Sequence, residues 1–424
     1  MPEPKIISVT LFILTYLLFI FLPHKRTIVA IISAALIILL GAISFKQALF
    51  AINWNVMGIF VGMLVIADVF MSSKVPAYLA EIIVDKAGNT AWAILALCAL
   101  TSFISAFVEN VATVLIVAPI ALSLAKKIDL NPVKMIIAIA ISSNLQGAAT
   151  LIGDPPSMLL GGFAKMNFMD FFFYHGKPSI FFAVEIGALA SLCILLFIFR
   201  KNRDKAELIP VEKVKSWFPT CLLIALIIIL ACSSFFDTGF SYAAGVICMI
   251  FAVIAIVWGK IANKDSIIKG IKSLDWDTTF FLAGVFILVG AITETGWIDT
   301  ISETLSNAVG KNIFMGYTLL VFVSVLVSAF VDNVPFLAAM LPVAISMSQR
   351  LEIDPSLFLF GLLIGASLGG NISPIGASAN IVACGLLKKE GYNVKFREFV
   401  GIGLPFTFAA VITAYIFVWF VWKT

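Results

Sequence analysis

The chain has 424 residues, of which 61% are hydrophobic and 12% are charged, and its mean hydropathy is +1.09. Soluble proteins are roughly half apolar, so this composition excludes a soluble enzyme or binding domain. The formal net charge of +4 does not indicate a nucleic-acid partner, because in a membrane protein the placement of Lys and Arg matters more than their sum. We therefore predict an all-α polytopic membrane protein whose main partner is the lipid bilayer.

Ten apolar segments are long enough to cross a bilayer, which takes roughly 17–25 residues per helix. In chain order they are 6–22, 27–43, 54–72, 133–164, 179–199, 217–235, 240–258, 276–293, 355–387 and 398–422. The fourth and ninth segments are interrupted near their middle by Gly, Pro and small polar residues. Two amphipathic stretches, 74–88 and 297–309, are expected to lie along the membrane interface.

The six cysteines all lie inside apolar segments, and no CxxC or other metal-binding spacing occurs. We expect them to be small packing residues, and we predict neither a disulfide nor a cofactor. The first apolar run is preceded by a single basic residue, Lys5, and is not followed by a cleavage site of small residues. We therefore expect a retained helix and not a signal peptide.

The chain contains an internal duplication. Residues 105–119 read SAFVENVATVLIVAP, and residues 328–342 read SAFVDNVPFLAAMLP. A Gly-rich stretch follows each of them, with Gly153 in the first and Gly376 in the second. The interval between these two glycines is the same as the interval between the two acid-containing segments. Chance rarely produces such regular spacing, so we infer two related halves.

The distribution of Lys and Arg predicts the topology. If 23–26 is cytoplasmic, 21 of the 28 basic residues fall in loops on that side, which supports external termini in the cell membrane. Residues 1–199 and 217–424 then form five spans each, joined by a cytoplasmic linker at 200–216. Because five is odd, the second half is expected to insert upside down. Inverted repeats are typical of alternating-access transporters, which bind substrate near the midplane at the repeat interface.

Segments 90–125 and 311–348 each start and end on one side of the membrane, so each is either a pair of full spans or a re-entrant hairpin. The second arm of the first one, 111–125, would be about 22 Å long, which is shorter than the roughly 30 Å hydrocarbon core. This length favours hairpins. Their tips are then expected to meet near the middle of the membrane.

The hairpin tips have two interpretations. Asn110 and Asn333 can simply cap the second helix of each hairpin. However, both tips also keep an acid, Glu109 and Asp332, and a carboxylate inside a membrane is costly and tends to be functional. Such a carboxylate can bind Na⁺ or carry a proton. Both histidines of the chain fall in loops, which argues against a histidine relay.

The two interrupted spans, QGAATLIGDPPS at 146–157 and GGNISPIGASAN at 369–380, are predicted to unwind. A break of this kind exposes carbonyl groups to a cation and one half-helix N-terminus to negative charge. The alternative is a kink that serves only close helix packing. The candidate ion- or substrate-binding residues at the breaks are Thr150, Gly153, Asp154, Asn371, Ser373, Gly376 and Asn380.

Four other acids lie in or near the apolar spans. Asp68 and Glu185 lie well inside their spans, and each is either functional or locally paired. Asp277 and Glu294 lie close to helix ends, where solvation at the interface explains a charge.

The four motifs resemble those of the ion transporter superfamily, and the resemblance covers nearly the whole chain. That group includes arsenite/antimonite permeases, the melanosomal P protein, sodium/proton antiporters, and citrate and dicarboxylate transporters. The resemblance implies two re-entrant hairpins, two broken helices and, in many members, a homodimer. From the symporters it also implies a Na⁺ site formed by Asn110 or Asn333 and the backbone of each break, with substrate between the tips.

The chain departs from the dicarboxylate symporters at both tips. Those symporters carry Ser-Asn-Thr to hold substrate carboxylates, whereas this chain has ENV at 109–111 and DNV at 332–334. An acid in place of a hydroxyl would repel a dianion, so the tips look more like the arsenite-permease and P-protein branch. In the first break, Gln146 stands where Gly is usual and Ser157 where Asn is usual.

These observations predict a secondary active transporter, not an enzyme, that uses Glu109 and Asp332 to couple H⁺ or Na⁺ to the movement of a small inorganic solute. Efflux of arsenite or antimonite is the favoured activity. Na⁺-coupled import of a dicarboxylate or another small anion, and Na⁺/H⁺ exchange, are the alternatives. No GxxxxGK[ST] motif occurs, which argues against an ATP-driven pump. A channel is less consistent with paired half-helices at a midplane site.

The topology can be tested with single cysteines. We expect cysteines at Lys205 and Lys264 to react with a membrane-impermeant thiol reagent only from the cytoplasm, and one at Lys177 only from outside, because of the charge bias. Labelling of intact and permeabilised cells measures this. Labelling at Lys205 from outside would contradict the charge assignment and the inverted repeat together.

Overall fold

A computed structural model of the protein describes residues 3–22, 25–202, 212–263, 274–310 and 312–423. Most of the predicted linker, together with Lys205 and Lys264, lies outside these ranges. The described residues form nineteen α-helices and one short antiparallel β-hairpin, in which Phe173–Tyr174 pairs with Lys177–Pro178. The predicted helical fold class is therefore confirmed.

The helices of the first half are α1 (Pro4–Phe21), α2 (Arg26–Leu39), α3 (Phe45–Ala51), α4 (Trp54–Ser72), α5 (Val75–Lys86), α6 (Thr90–Ser105), α7 (Asn110–Lys127), α8 (Val133–Gly147), α9 (Pro155–Ala164) and α10 (Ile180–Phe199). Those of the second half are α11 (Phe218–Ser233), α12 (Ala243–Asn263), α13 (Trp276–Glu294), α14 (Trp297–Val309), α15 (Ile313–Ser328), α16 (Asn333–Arg350), α17 (Ser356–Gly369), α18 (Ser378–Lys389) and α19 (Phe396–Trp422). Short 3₁₀ turns lie at Met169–Phe171 and Gly370–Ile372.

The helix boundaries repeat between the halves. The interval from α6 to α15 is identical at both helix ends, and it recurs at both ends of α7 and α16 and at the start of α9 and α18. The caps repeat as well, because Asn89 and Asn312 accept the amides of Trp92 and Met315 at 3.0 Å each. These matching boundaries and caps agree with the internal duplication inferred from the sequence.

The equivalent helices α4 and α13 run in opposite directions. Gln47 in α3, the helix that precedes α4, donates to Glu294 at the end of α13 over 3.3 Å. At the opposite end, Asp68 near the end of α4 and Asp275 before α13 border the same cavity. This arrangement is compatible with halves that insert in opposite orientations, and the inversion relative to a bilayer stays a prediction.

Seven described helices are at least 18 residues long and apolar enough to cross a membrane, and several shorter apolar helices accompany them. One of the seven is α7, which the sequence placed in a short hairpin arm. It has 18 residues and is about 27 Å long, so its length does not argue for a re-entrant hairpin as strongly as expected. The helices α6 and α7 still form a hairpin, with its tip at residues 106–109. Helix α3 was not predicted.

Small residues allow the halves to pack closely. Helix α12 lies along α4, and α2 lies along α13, so the second spanning helix of each half contacts the other half. At Gly245 in α12 there is no room for a side chain, since a Cβ atom would lie 2.7 Å from the carbonyl oxygen of Asn55. Close approach of helix backbones at small residues is typical of membrane proteins.

This packing predicts different effects for two glycines of α12. We expect Gly245→Ala to lower the free energy of unfolding by about 1–3 kcal/mol, because the backbone of Asn55 cannot yield easily. Gly259→Ala is the matched control, since a Cβ there would meet nothing within 4 Å. Thermal unfolding of the purified protein in detergent measures both variants. Equal melting temperatures would contradict the close packing.

Candidate functional site

A cavity of about 470 Å³ lies between the two hairpin tips. The tips line it together with the ends of α2, α4 and α13 and the start of α9 and α18. The predicted site residues among its lining are Glu109, Asn110, Asp154, Asp332 and Asn333. The tertiary structure therefore brings both tips and the first break to one place.

The acids, and not the asparagines, cap the second helices of the hairpins. Glu109 accepts the amide of Ala112 at 2.9 Å, and Asp332 accepts the amide of Val334 at 3.0 Å. The alternative interpretation, in which Asn110 and Asn333 are the capping residues, is therefore wrong. A helix N-terminus favours a negative charge, which helps to hold a carboxylate at each tip. Capping and ion binding can thus involve the same side chain.

Asn110 ties the first tip to the first break. Its side-chain oxygen accepts from Ser105 at 2.6 Å, while its amide nitrogen faces Asn144 at 3.4 Å and Asp154 at 3.5 Å. Asp154 also caps α9 through the amide of Ser157 at 3.1 Å. These side chains are nearly buried, so the amide oxygen and carboxylate form a preorganised polar cluster beside the cavity.

The cluster continues into the second half. The amide nitrogen of Asn144 donates to the side-chain oxygen of Asn371 at 2.9 Å and to the carbonyl oxygen of Ser367 at 3.0 Å. Asn371 is fully buried, and its own amide nitrogen has no partner among the described residues. The two broken helices are therefore joined by a direct polar contact that the sequence analysis did not identify.

Thr150 and Ser373 hold each tip against its break. The hydroxyl of Thr150 donates to the carbonyl oxygen of Ala106, and the hydroxyl of Ser373 donates to that of Ala329. These two bonds are equivalent in the repeats. Both residues are fully buried, and both hydroxyls are already bonded to the backbone, so they stabilise the contact between break and tip. An ion-binding role for them stays a prediction.

Equivalent side chains also close each break. The hydroxyl of Ser157 lies 3.1 Å from the carbonyl oxygen of Gly147 and 2.8 Å from both the backbone and a side-chain oxygen of Asp154. Asn380 donates to the carbonyl oxygen of Gly370 at 3.0 Å. The side-chain oxygen of Asn380 has no partner within the described part of the chain. Ser157 and Asn380 therefore lie at equivalent positions and face equivalent carbonyl oxygens.

Gly153 and Gly376 leave no room for a side chain. A Cβ on Gly153 would lie 3.1 Å from the carbonyl oxygen of Ala106 and closer still to that of Gly147. At Gly376 a Cβ would lie 2.5 Å from the carbonyl oxygen of Gly370, which is equivalent to Gly147, and 2.9 Å from that of Ser328. The structure thus shows tight backbone packing between break and tip at both glycines, and a role of either glycine in ion binding stays a prediction.

Arg26 was not predicted as a site residue. Arg26 starts α2, pairs with Asp332 at the second tip, and lies 4.9 Å from the centre of the Phe281 ring. Asp277 is exposed in the first turn of α13, as expected, and it also lines the cavity, as does Asp68. Glu185 accepts a hydrogen bond from Gln146, which favours local pairing for that acid.

The cavity is strongly acidic. Among its described lining residues one is basic, Arg26, and six are acidic: Asp68, Glu109, Asp154, Asp275, Asp277 and Asp332. In the described part of the chain no three His, Cys, Asp or Glu side chains are grouped to hold a metal ion. The acids are instead spread around the cavity and flanked by amide oxygens.

Comparison with known proteins identifies the class. An uncharacterized transporter of Mycobacterium bovis is 29% identical over 426 residues, which cover 98% of each chain. The crystal structure of the YdaH transporter of Alcanivorax borkumensis has a similar fold, with a TM-score of 0.63 and 14% identity over 99% of this chain and 98% of that one. The protein is a multi-pass membrane transporter.

The chain belongs to the citrate transporter family, CitMHS, whose sequence profile matches residues 16–352 and 319–424. The mouse P protein is also similar, with 25% identity over 477 residues that cover 92% of this chain and 57% of the P protein. These matches confirm the resemblance to the ion transporter superfamily.

The breaks can be tested at their glycines. We expect Gly153→Leu and Gly376→Leu each to abolish most transport and to lower thermal stability, because even the first side-chain carbon meets backbone oxygens. Gly385→Leu in α18 is the control, since a Cβ there meets nothing within 4 Å. Solute flux in proteoliposomes and melting temperature are the measurements. Normal flux in both break variants would show that the close packing is dispensable.

Proposed function

We propose that this protein is a secondary active transporter that couples H⁺ or Na⁺ to the movement of a small solute by alternating access. The observation that carries the proposal is the acidic cavity between two duplicated hairpin tips. Carboxylates held inside a membrane are costly and commonly mark ion pathways. Transporters with repeated halves bind their substrates near the interface of those halves.

The charge of the cavity also favours some solutes over others. Six carboxylates and one arginine would repel a free dianion or trianion, whereas a neutral or cationic solute would meet no such barrier. An uncharged inorganic hydroxide such as arsenous acid, or its antimony equivalent, is our first candidate. Citrate is the second candidate, on the basis of the family description. Exchange of Na⁺ for H⁺ is the third.

We further propose that the structure represents the state open to the cytoplasm. The cavity reaches Arg26 and Asp275, which adjoin the segments 23–26 and 259–275 that the charge distribution assigns to the cytoplasm. In the opposite state the same tips would face outside. This assignment depends on the predicted topology, so the cysteine-labelling experiment at Lys205, Lys264 and Lys177 tests both.

The decisive variant is Glu109→Gln. The amide oxygen can still accept the bond from Ala112, so we expect the hairpin to fold, but it cannot release a proton or balance Na⁺. Gradient-driven transport should fall at least tenfold, while solute exchange without a gradient persists, because one neutralised coupling site removes the driving ion. Glu303→Gln is the control, as Glu303 is exposed and lies 3.7 Å from Arg350.

The assay uses proteoliposomes with Na⁺ and pH gradients imposed separately. The solutes are arsenite, antimonite, citrate and succinate, and internal pH is followed without solute to detect Na⁺/H⁺ exchange. Gradient-driven flux of Glu109→Gln at the wild-type rate would refute coupling at this tip. Absence of all fluxes in the wild type would refute the solute and ion classes proposed.

A further inference from the structure

The two halves repeat their backbone but not their charge. Asp154 directly follows Gly153 in the first break, whereas Ala377 follows the equivalent Gly376 in the second. The first tip acid, Glu109, bonds to a backbone amide of its own helix, whereas the second, Asp332, also pairs with Arg26. At the tips and breaks, the first half thus supplies two acids, and the second supplies one acid already matched by a guanidinium. Outside the tips and breaks, Asp68 from the first half and Asp275 and Asp277 from the second also line the cavity.

Arg26 is held in place by contacts outside the hairpin. Its neighbour Thr27 donates to the carbonyl oxygen of Asp277 at 3.1 Å, which fixes the start of α2 against the start of α13. The guanidinium also lies against the Phe281 ring. Further along, a Cβ on Gly284 would lie 2.9 Å from Ala30, so α2 and α13 pack closely. Arg26 is therefore anchored on one helix pair while Asp332 belongs to the hairpin tip.

We propose that Arg26 is a specificity-determining residue that acts as a built-in cation at the second tip. A guanidinium stays protonated at every physiological pH. In this state Arg26 therefore always neutralises the Asp332 carboxylate, which is then not available to a cation. Among the tip and break residues, this leaves Glu109, Asp154 and the side-chain oxygen of Asn110, all in the first half, to bind a cation. The protein couples one cation, although its architecture is duplicated. This inference rests on the proposed cation coupling.

Anchoring gives the pair a second consequence. When the second tip moves relative to α2 and α13, the bond between Arg26 and Asp332 breaks. The pair therefore favours the state in which the cavity reaches Arg26. The double variant Arg26→Gln/Asp332→Asn removes the ion pair without changing the net charge. It therefore tests the effect of the pair on the conformational equilibrium separately from its effect on the number of bound cations.

The number of bound cations tests the proposal. The purified full chain in lipid nanodiscs is titrated with radioactive Na⁺ at neutral pH, and bound protons are counted by acid titration in Na⁺-free buffer. We expect Arg26→Gln to bind one cation more than the wild type, because Asp332 becomes available. The extra cation should disappear in Arg26→Gln/Asp332→Asn, and Arg26→Lys should resemble the wild type, since a lysine keeps the charge.

If Arg26→Gln does not fold, the number and affinity of the cations bound by Asp332→Asn test the proposal independently. It leaves Arg26 without its partner, so we expect an unchanged number of cations bound about three- to tenfold more weakly, because an added positive charge opposes binding nearby. A smaller number of cations in Asp332→Asn, or an unchanged number in folded Arg26→Gln, would overturn the proposal. Loss of cation binding in Glu109→Gln is expected as well.

The outcomes separate the two proposals. A wild type that binds neither Na⁺ nor additional protons would refute the proposed cation coupling. The comparison of Arg26→Gln with the double variant would still show whether Arg26 occupies Asp332, because a cation gained in the single variant and lost in the double one depends on that pair alone.

Discussion

The structure depends on the need to satisfy non-helical backbone inside an apolar protein. Two helices are broken near their centres, and in a bilayer the freed carbonyl and amide groups have no water to bond. The chain meets this need with side chains at equivalent positions, as Ser157 and Asn380 bind the carbonyls that end the first half-helices. Thr150 and Ser373 then bind the carbonyls of the hairpin tips. Each break and its tip are thereby locked into one unit.

Because each tip is locked to a break, movement of one implies movement of the other. The second helix of each hairpin also packs against the half-helix of the opposite repeat, α7 on α18 and α16 on α9. The contact between Asn144 and Asn371 joins the two units directly. We infer that hairpins and broken helices behave as one body beside the helices that carry Arg26. The ion pair between Arg26 and Asp332 joins this body to α2, so the charge state of the pair affects the position of the second tip.

Much of the site could be predicted because the duplication marks it. Two copies of each motif identified Glu109, Asp332 and the Gly-rich breaks, since a feature retained twice is unlikely to be incidental. The same reasoning could not find Arg26, which has no equivalent motif and lies at the start of a span, where a basic residue is ordinary. It also could not assign Asp277 to the cavity. Both residues reach the site only because α2 and α13 pack together at the level of the second tip.

The sequence by itself determined the class and the framework of this protein. Apolar length, regular spacing and interrupted spans are local properties, and local chemistry decides whether a segment is helical, broken or capped. Tertiary structure alone decided which charges share the cavity, which acid is paired and which glycines are packed against backbone. Those properties depend on contacts between residues far apart in the chain, such as Arg26 and Asp332. No periodicity in one segment can specify a distance to another, and the electrostatic character of the site depends on such distances.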